Sequence, residues 1–250
     1  MAPFSELKAN QGELLSVITA VSRPLNLPLI SWCIPSGAEW VLVTDGPRER
    51  PVLSRPHIWI EGAQTGGWGD AQRRIGIEAA TRPFLYFLDD DNLMLPVLPD
   101  LVIPFLENGK QAGLLFGLLV NLNNQTHLWP APLQIMRGRV DTAMFLGRKD
   151  AIAKMRFSDP TYGPLWPDLK QQRHGDFVFI ETFDRQIGLA RLPAIYGFHN
   201  AINLLRDTDP AMYRRLERGE LSGDGLAGLL QKWIIHADVP QWWDSSGATA

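Results

Sequence analysis

From Leu14 to Ala20 the chain reads LLSVITA, an apolar run rich in β-branched residues and lacking the alternation of a half-exposed strand. Such a run predicts a strand covered on both faces. Prolines at 24, 28 and 35 then restrict any helix to a short piece beginning at one of them. Glu39–Asp45 (EWVLVTD) predicts a second buried strand ended by Gly46 and Pro47, and His57–Glu61 (HIWIE) a shorter third. Gly62, Gly66, Gly67 and Gly69 mark a loop ahead of AQRRIGIEAA, where Ala71, Ile75 and Ala79 recur at helical spacing as one apolar stripe. Asp70 is placed to cap that helix from Ala71 onward, and Thr81-Arg82-Pro83 to stop it. FLYFL, Phe84 to Leu88, predicts a fourth strand. Strands alternating with helices predict an α/β fold, a mostly parallel sheet with helices on both faces.

The second half is less regular. Gly113–Val120 predicts a buried strand, with shorter candidates at Leu133–Met136 and Ala143–Leu146. Ser158–His174, with three prolines and a glycine, reads as a loop able to cover a site, and a short apolar run follows Asp176. Helical patterns return at Met212–Arg218 and Gly225–Ala237. The expected organisation is one domain over 1–205 and a helical extension, 206–250, packed on it.

Composition narrows the function classes. Apolar residues make up 45% of the 250 and charged residues 20%, enough for a large core in a globular chain. A net charge of −3 offers no general attraction to nucleic acid. Cys33 is the single cysteine, so no intramolecular disulfide forms, and its apolar setting, ISWCIP, suits an inert packed thiol. No run reaches the roughly 18 apolar residues of a membrane span, and MAPFSELKANQGE lacks the apolar core of a signal peptide. The expectation is a soluble, cytoplasmic protein of undetermined oligomeric state. Trp233, Trp242 and Trp243 in the tail leave two readings, buried packing or peripheral contact with a membrane surface or partner.

Candidate chemistry starts at FLYFLDDDNLMLP, where a buried strand runs into Asp89, Asp90 and Asp91. Like charges side by side raise one another's proton affinity unless a cation or hydrogen bonds offset it. In an extended strand end Asp89 and Asp91 point to the same side. Together they could grip a hard divalent cation, Mg²⁺ or Mn²⁺, whose remaining positions go to water and phosphate. The alternative is a solvated turn in which one aspartate caps the next segment.

The stretch GWGDAQRRIGIEAATRPFLYFLDDDNLMLP resembles the middle of the family 2 glycosyltransferases, which have the GT-A fold. In them a glycine-containing loop precedes an Ala-Arg-Asn-x-Gly helix, then a strand running into Asp-x-Asp. Arg74 stands here where the family usually has asparagine. LLSVITAVSRP resembles the family's opening strand, WVLVTDG its second, VDTAMFLGRKD its acceptor-side segment and HGDFVFIETF its Glu-Asp region, with Gly175 in place of the glutamate. LPAIYGFHN resembles its late strand, which can carry a metal-binding histidine. The resemblance covers about residues 13 to 205.

It implies an inverting, metal-dependent transfer of a sugar from a nucleotide-diphosphate donor, UDP-linked or other, to a saccharide or lipid-linked acceptor. Asp176 would be the general base. Thr19 and Ala20 at the first strand's end, Asp45, Asp89 and Asp90 would line the nucleotide-sugar, with Arg73 and Arg74 toward the diphosphate and Trp68 stacked on base or sugar. Asp89, Asp91 and His199 would be the metal ligands, and Asp141 and His174 would lie on the acceptor side. Bland readings stand beside these: Asp45 as a turn acid, Asp176 as a helix cap, His199 and Trp68 as packed rings, the arginines on a solvated face. Two rival functions also remain open. One is a silent nucleotide-sugar-binding protein; the other is a nucleotidyltransferase, which would be expected to carry a glycine-rich basic loop after the first strand, where AVSRPLNLP holds only Arg23.

Overall fold

The computed structural model describes residues 11–65, 69–96, 98–122, 125–129, 135, 137, 140–155 and 175–218. Trp68, His174, the expected loop over 158–174, the helix over 225–237 and the tryptophan tail lie outside these residues, as does the expected strand at 133–136 apart from Ile135.

The strands are β1 (Leu15–Val21), β2 (Glu39–Asp45), β3 (Ile58–Gly62), β4 (Phe84–Phe87), β5 (Leu93–Met94), β6 (Gly113–Leu122), β7 (Gln125–Trp129), β8 (Phe145–Arg148) and β9 (Ala190–His199). The helices are α1 (Leu27–Ile30), α2 (Asp70–Ala79), α3 (Leu98–Asn108), α4 (Lys149–Ile152), α5 (Gly175–Gln186), α6 (Ala201–Thr208) and α7 (Pro210–Glu217). One sheet joins the strands in the order β3-β2-β1-β4-β8-β6-β9-β5, with β7 paired to β6. The β3-β2-β1-β4 half is parallel throughout, and β6 pairs β9 in parallel. β8 runs antiparallel between β4 and β6, and β5 antiparallel to β9. The carboxyl ends of β1, β2, β4 and β9 therefore share one edge of the sheet.

The continuous apolar runs are buried as their patterning predicts: Leu15, Val17, Val41, Leu42, Val43, Leu85, Tyr86 and Phe87 are solvent-free. The α2 face is a correction. Its buried side is Gln72, Arg73, Gly76 and Ile77, and the expected stripe of Ala71, Ile75 and Ala79 is only half-buried. The helix turns this way because Gly76 lies directly on β1, where an added Cβ would come 2.3 Å from Ile18 Cγ2. Nor does Asp70 cap the helix. Gly69, at φ 93°, is the residue before its first turn, and Asp70 is the first helical residue.

On the other half, Phe145 of β8 meets Phe179 and Phe183 of α5 with ring centroids 5.3 and 4.9 Å apart, and Phe87 meets Phe179 at 5.6 Å. These edge contacts fix α5 against β4 and β8, which directs its first turn to the carboxyl edge of the sheet. Toward the tail, α6 runs unbroken across 205/206, where the domain boundary was expected, and Leu205 belongs to the core. α7 packs against α6 and α1. No helix among the described residues is long and apolar enough to cross a membrane.

Candidate active site

Where β1 and β4 leave the sheet, the aspartate triplet meets its cations. Asp90 Oδ2 accepts from the backbone N–H groups of Ser22 and Arg23, at 2.6 and 2.5 Å, and from the Ser22 hydroxyl at 3.0 Å. Its Oδ1 takes Arg23 Nε at 2.8 Å and Nη2 at 2.6 Å. Asp90 is buried and fully used as a clamp between two strand exits. It therefore has no lone pair to offer a donor, which corrects its expected place in the nucleotide-sugar contacts. Arg23 Nη1 continues to Asp91 Oδ2 at 2.7 Å. Even so, burial and the neighbouring Asp89 raise the Asp91 carboxyl to about 6, against the pull of Arg23.

Asp89 points elsewhere. Its Oδ1 pairs with Nη2 of Arg73 at 2.5 Å, and Nη1 of the same guanidinium lies 3.8 Å from both Asp70 and Asp176. Burial works against the charge of Arg73, and Asp89, Asp176 and Asp70 more than offset it. Asp176 sits in the first turn of α5, after Gly175 rather than at the cap, and also receives the Thr142 hydroxyl at 3.3 Å. Burial and Asp89 bring its carboxyl up to about 6 despite Arg73. A Cβ on Gly175 would stand 2.5 Å from Asp70 Oδ1. A larger residue here would therefore have to displace the Asp70 carboxylate from the first turn of α5.

His199 ends β9 at the same edge. Its Nε2 is 3.5 Å from Asp141 Oδ2, and Nδ1 is 3.0 Å from the Asn200 side-chain amide. With the amide donating to Nδ1, the ring proton belongs on Nε2, facing Asp141. Burial lowers the imidazole's proton affinity, with Asp89 opposing, so the ring is neutral near pH 7. Asp141 Oδ1 accepts from the Ala143 N–H at 2.7 Å and starts the short 3₁₀ turn Thr142–Met144. Burial and Asp89 push its carboxyl well up. Asn200, at φ 53°, donates its N–H to Asn92 Oδ1, and the Asn203 amide reaches Asp91 Oδ2 at 3.4 Å.

The remaining expected residues divide. Thr19 is fully buried, its hydroxyl receiving the Trp40 indole N–H at 3.1 Å, so its side chain serves the core and not a donor pocket. Ala20, half-buried, faces Gly69, where an added Cβ would lie 2.9 Å from its own. Asp45 Oδ1 accepts from Thr65 N–H, Thr65 hydroxyl and Gln72 Nε2 at 2.7, 3.0 and 2.9 Å, tying the loop after β3 to α2. Arg74 is half-buried and makes none of the carboxylate contacts of Arg73. Arg23, Asp70 and Asn203 were not singled out for this edge beforehand. An arginine two residues past the opening strand was the one available signal for Arg23.

Six carboxylates, those of Asp70, Asp89, Asp90, Asp91, Asp141 and Asp176, gather around the guanidiniums of Arg23 and Arg73. Burial first, and the neighbouring Asp89 after it, raises the proton affinities of Asp91, Asp141 and Asp176. Among the described residues no group of three or more acidic, histidine or cysteine side chains is placed to hold a metal ion. The Asp89 carboxylate is engaged by Arg73 and that of Asp91 by Arg23 and Asn203, so a divalent cation here would share them with those partners. The expected ligand role of His199 is a correction: its Nδ1 is engaged by the Asn200 amide and its Nε2 proton faces Asp141.

No protein-family model matches the chain, and no curated protein matches it in sequence. Solved structures do. The 1–349 portion of TarS from S. aureus superposes at a TM-score of 0.50 and 13% identity, over 81% of this chain and 69% of that one. The same portion in complex with UDP gives 0.50 and 13%, covering 91% and 77%. A longer TarS structure gives 0.51 and 13%, and there this chain, covered to 90%, spans only 44% of the other. At such identity the likeness is one of fold: the chain has the α/β, GT-A-like architecture with a mostly parallel central sheet flanked by helices.

Proposed function

We propose that this chain is a glycosyltransferase that moves a sugar, with inversion, from a nucleotide-diphosphate donor to the hydroxyl of a saccharide or lipid-linked acceptor. The observation that carries the reading is the convergence of Asp89, Asp91, Asp141, Asp176 and His199 on the edge where the carboxyl ends of β1, β4 and β9 meet. Ligands of open α/β sheets bind at that edge. The fold is shared with TarS, a glycosyltransferase whose 1–349 portion is solved in complex with UDP, which favours a uridine donor.

In the reaction the acceptor oxygen bonds to the anomeric carbon as the bond from that carbon to the diphosphate oxygen breaks. The acceptor's proton passes to Asp176, whose carboxyl at about 6 is ionised at neutral pH yet basic enough to accept it. Arg73 holds Asp176 and Asp89 in fixed relation, so donor-side and acceptor-side groups move as one unit. A divalent cation held by the carboxylates of Asp89 and Asp91, few protein ligands being enough for Mg²⁺ or Mn²⁺, would neutralise charge developing on the leaving diphosphate. Asp141 orients His199 and starts the turn that presents Thr142 to Asp176.

The test is release of nucleoside diphosphate from UDP-sugars with Mn²⁺ present, in wild type and Asp176→Asn. The expected result is release by the wild type, lost in the variant while thermal stabilisation by UDP persists. Stabilisation of the wild type without any release would point to a binding protein. No stabilisation by any nucleoside diphosphate or its sugars would overturn the reading.

A further inference from the structure

At the opposite edge of the sheet, where β2 and β3 begin, lies a cleft of about 530 Å³ bounded by residues 36–40, 54–58 and Arg82. Its charges are arranged unlike those of the aspartate edge. There each guanidinium is matched to carboxylates; here Arg50, Arg55 and Arg82 form no ion pair among the described residues, in a chain of net charge −3. Arg55 is half-buried, and its Nη1 donates to the Pro35 carbonyl at 2.9 Å. Desolvation lowers its affinity for its proton, the mark of a cation short of negative partners. Glu39, the acid in the cleft wall, is engaged by the Ser16 hydroxyl at 2.6 Å and by Thr81 through N–H and hydroxyl at 2.8 and 2.5 Å.

His57 ties the wall together through hydrogen bonds. The Arg50 guanidinium donates to His57 Nε2 from Nε at 3.2 Å and Nη2 at 2.9 Å, so that nitrogen is the acceptor. The ring proton then lies on Nδ1, 2.8 Å from the Arg55 carbonyl. The imidazole thus fixes Arg50 at the rim and the Arg55 backbone in the wall. The buried Trp40 ring, edge-on to His57 with centroids 6.3 Å apart, supplies an apolar floor.

We propose that this cleft is a second ligand site, taking a small soluble solute that bears a phosphate group. Arg55 and Arg82 recognise the phosphate, and the hydroxyls of Ser36 and Ser54 line its approach. A guanidinium pairs with phosphate through planar, charge-assisted hydrogen bonds, which suits Arg55, with no acidic partner among the described residues, and Arg82 beside it, whose charge Glu39 offsets in part. The site is separated from the aspartate edge by the length of the β2 strand, so occupancy of one does not exclude the other.

Backbone amide NMR of the full chain, titrated with inorganic phosphate and separately with a sugar monophosphate at constant ionic strength, tests this. Saturable shifts are expected at residues 36–40 and 54–58, stronger for the sugar phosphate. Arg55→Gln and Arg82→Gln should each weaken binding roughly tenfold, the loss of one charge-assisted contact. Arg82→Gln leaves the Pro35 hydrogen bond intact and so separates binding from local folding. Shifts that fail to saturate, or affinities unchanged in both variants, would overturn the proposal. So would association with anionic lipid vesicles without binding of either phosphate.

Discussion

Arg73 is 3% exposed and faces three carboxylates, an arrangement that tolerates the loss of neither sign. Removing the guanidinium leaves Asp70, Asp89 and Asp176 crowded in a dry site. Arg73→Met should therefore cost about 3–5 kcal/mol, read by urea denaturation at pH 7.5. At pH 4 the loss should shrink, because Asp176, at about 6, is by then protonated and no longer needs the cation. A second prediction concerns Asp176. With its carboxyl at about 6, kcat/KM for sugar transfer should rise with pH through about 6 and then level. A rise centred near 4, the ordinary aspartate range, would mean that the group titrating is not Asp176 in this environment. Asp90 teaches a different lesson: it stands in the middle of the triplet, yet its oxygens are consumed by Ser22 and Arg23. Adjacent carboxylates in one motif thus have separate partners, Ser22 and Arg23 for Asp90 and Arg73 for Asp89.

Among the elements, α2 decides how closely the acid cluster can assemble. Its Gly76 lies on Ile18, and the approach brings Arg73 over the end of β4. Alanine gains about 1 kcal/mol of helix propensity over glycine, but a methyl 2.3 Å from Ile18 Cγ2 must push the helix outward. Gly76→Ala is expected to lower stability by about 1–3 kcal/mol net, and an increase would show that α2 shifts freely. This contact also explains what was legible beforehand. Runs such as EWVLVTD and FLYFL announce buried parallel strands because both faces must be apolar, and their ends locate the site. The orientation of α2 was not legible. Ala71, Ile75 and Ala79 form the more apolar stripe, but the face that buries carries the glycine and a charged residue whose partners come from β4 and α5. Long-range ion pairs override local periodicity there. The antiparallel insertion of β8 between β4 and β6 was equally hidden, since pairing direction leaves no mark in a four-residue strand.

Among the described residues charge is segregated: carboxylates outnumber arginines at the carboxyl edge of the sheet, and at the amino-edge cleft Arg55 and Arg82 stand against Glu39 alone. The carboxylate excess has a thermodynamic consequence. Asp91 binds its proton more tightly folded, at about 6, than in an unfolded chain, at 3.8. Between those values the native state holds the extra proton, so this group's contribution is complete below about 4 and is lost as pH rises through about 6. His199 works the opposite way below about 6.5, because its lowered proton affinity makes the unfolded chain the better proton binder. The two partly cancel in a wild-type melting curve, and the contribution of Asp91 is read from a difference. With a chelator present, Asp91→Asn should gain on the wild type by on the order of 2–3 kcal/mol between pH 4 and pH 7.5. Mn²⁺ should then stabilise the wild type more at pH 7.5 than at pH 5, since protons and metal compete for the same oxygens. It should do little for the variant. If Asp91→Asn tracked the wild type at every pH, the carboxylate would be adequately neutralised by Arg23 alone, and the fold would have no electrostatic need of a further cation at that edge.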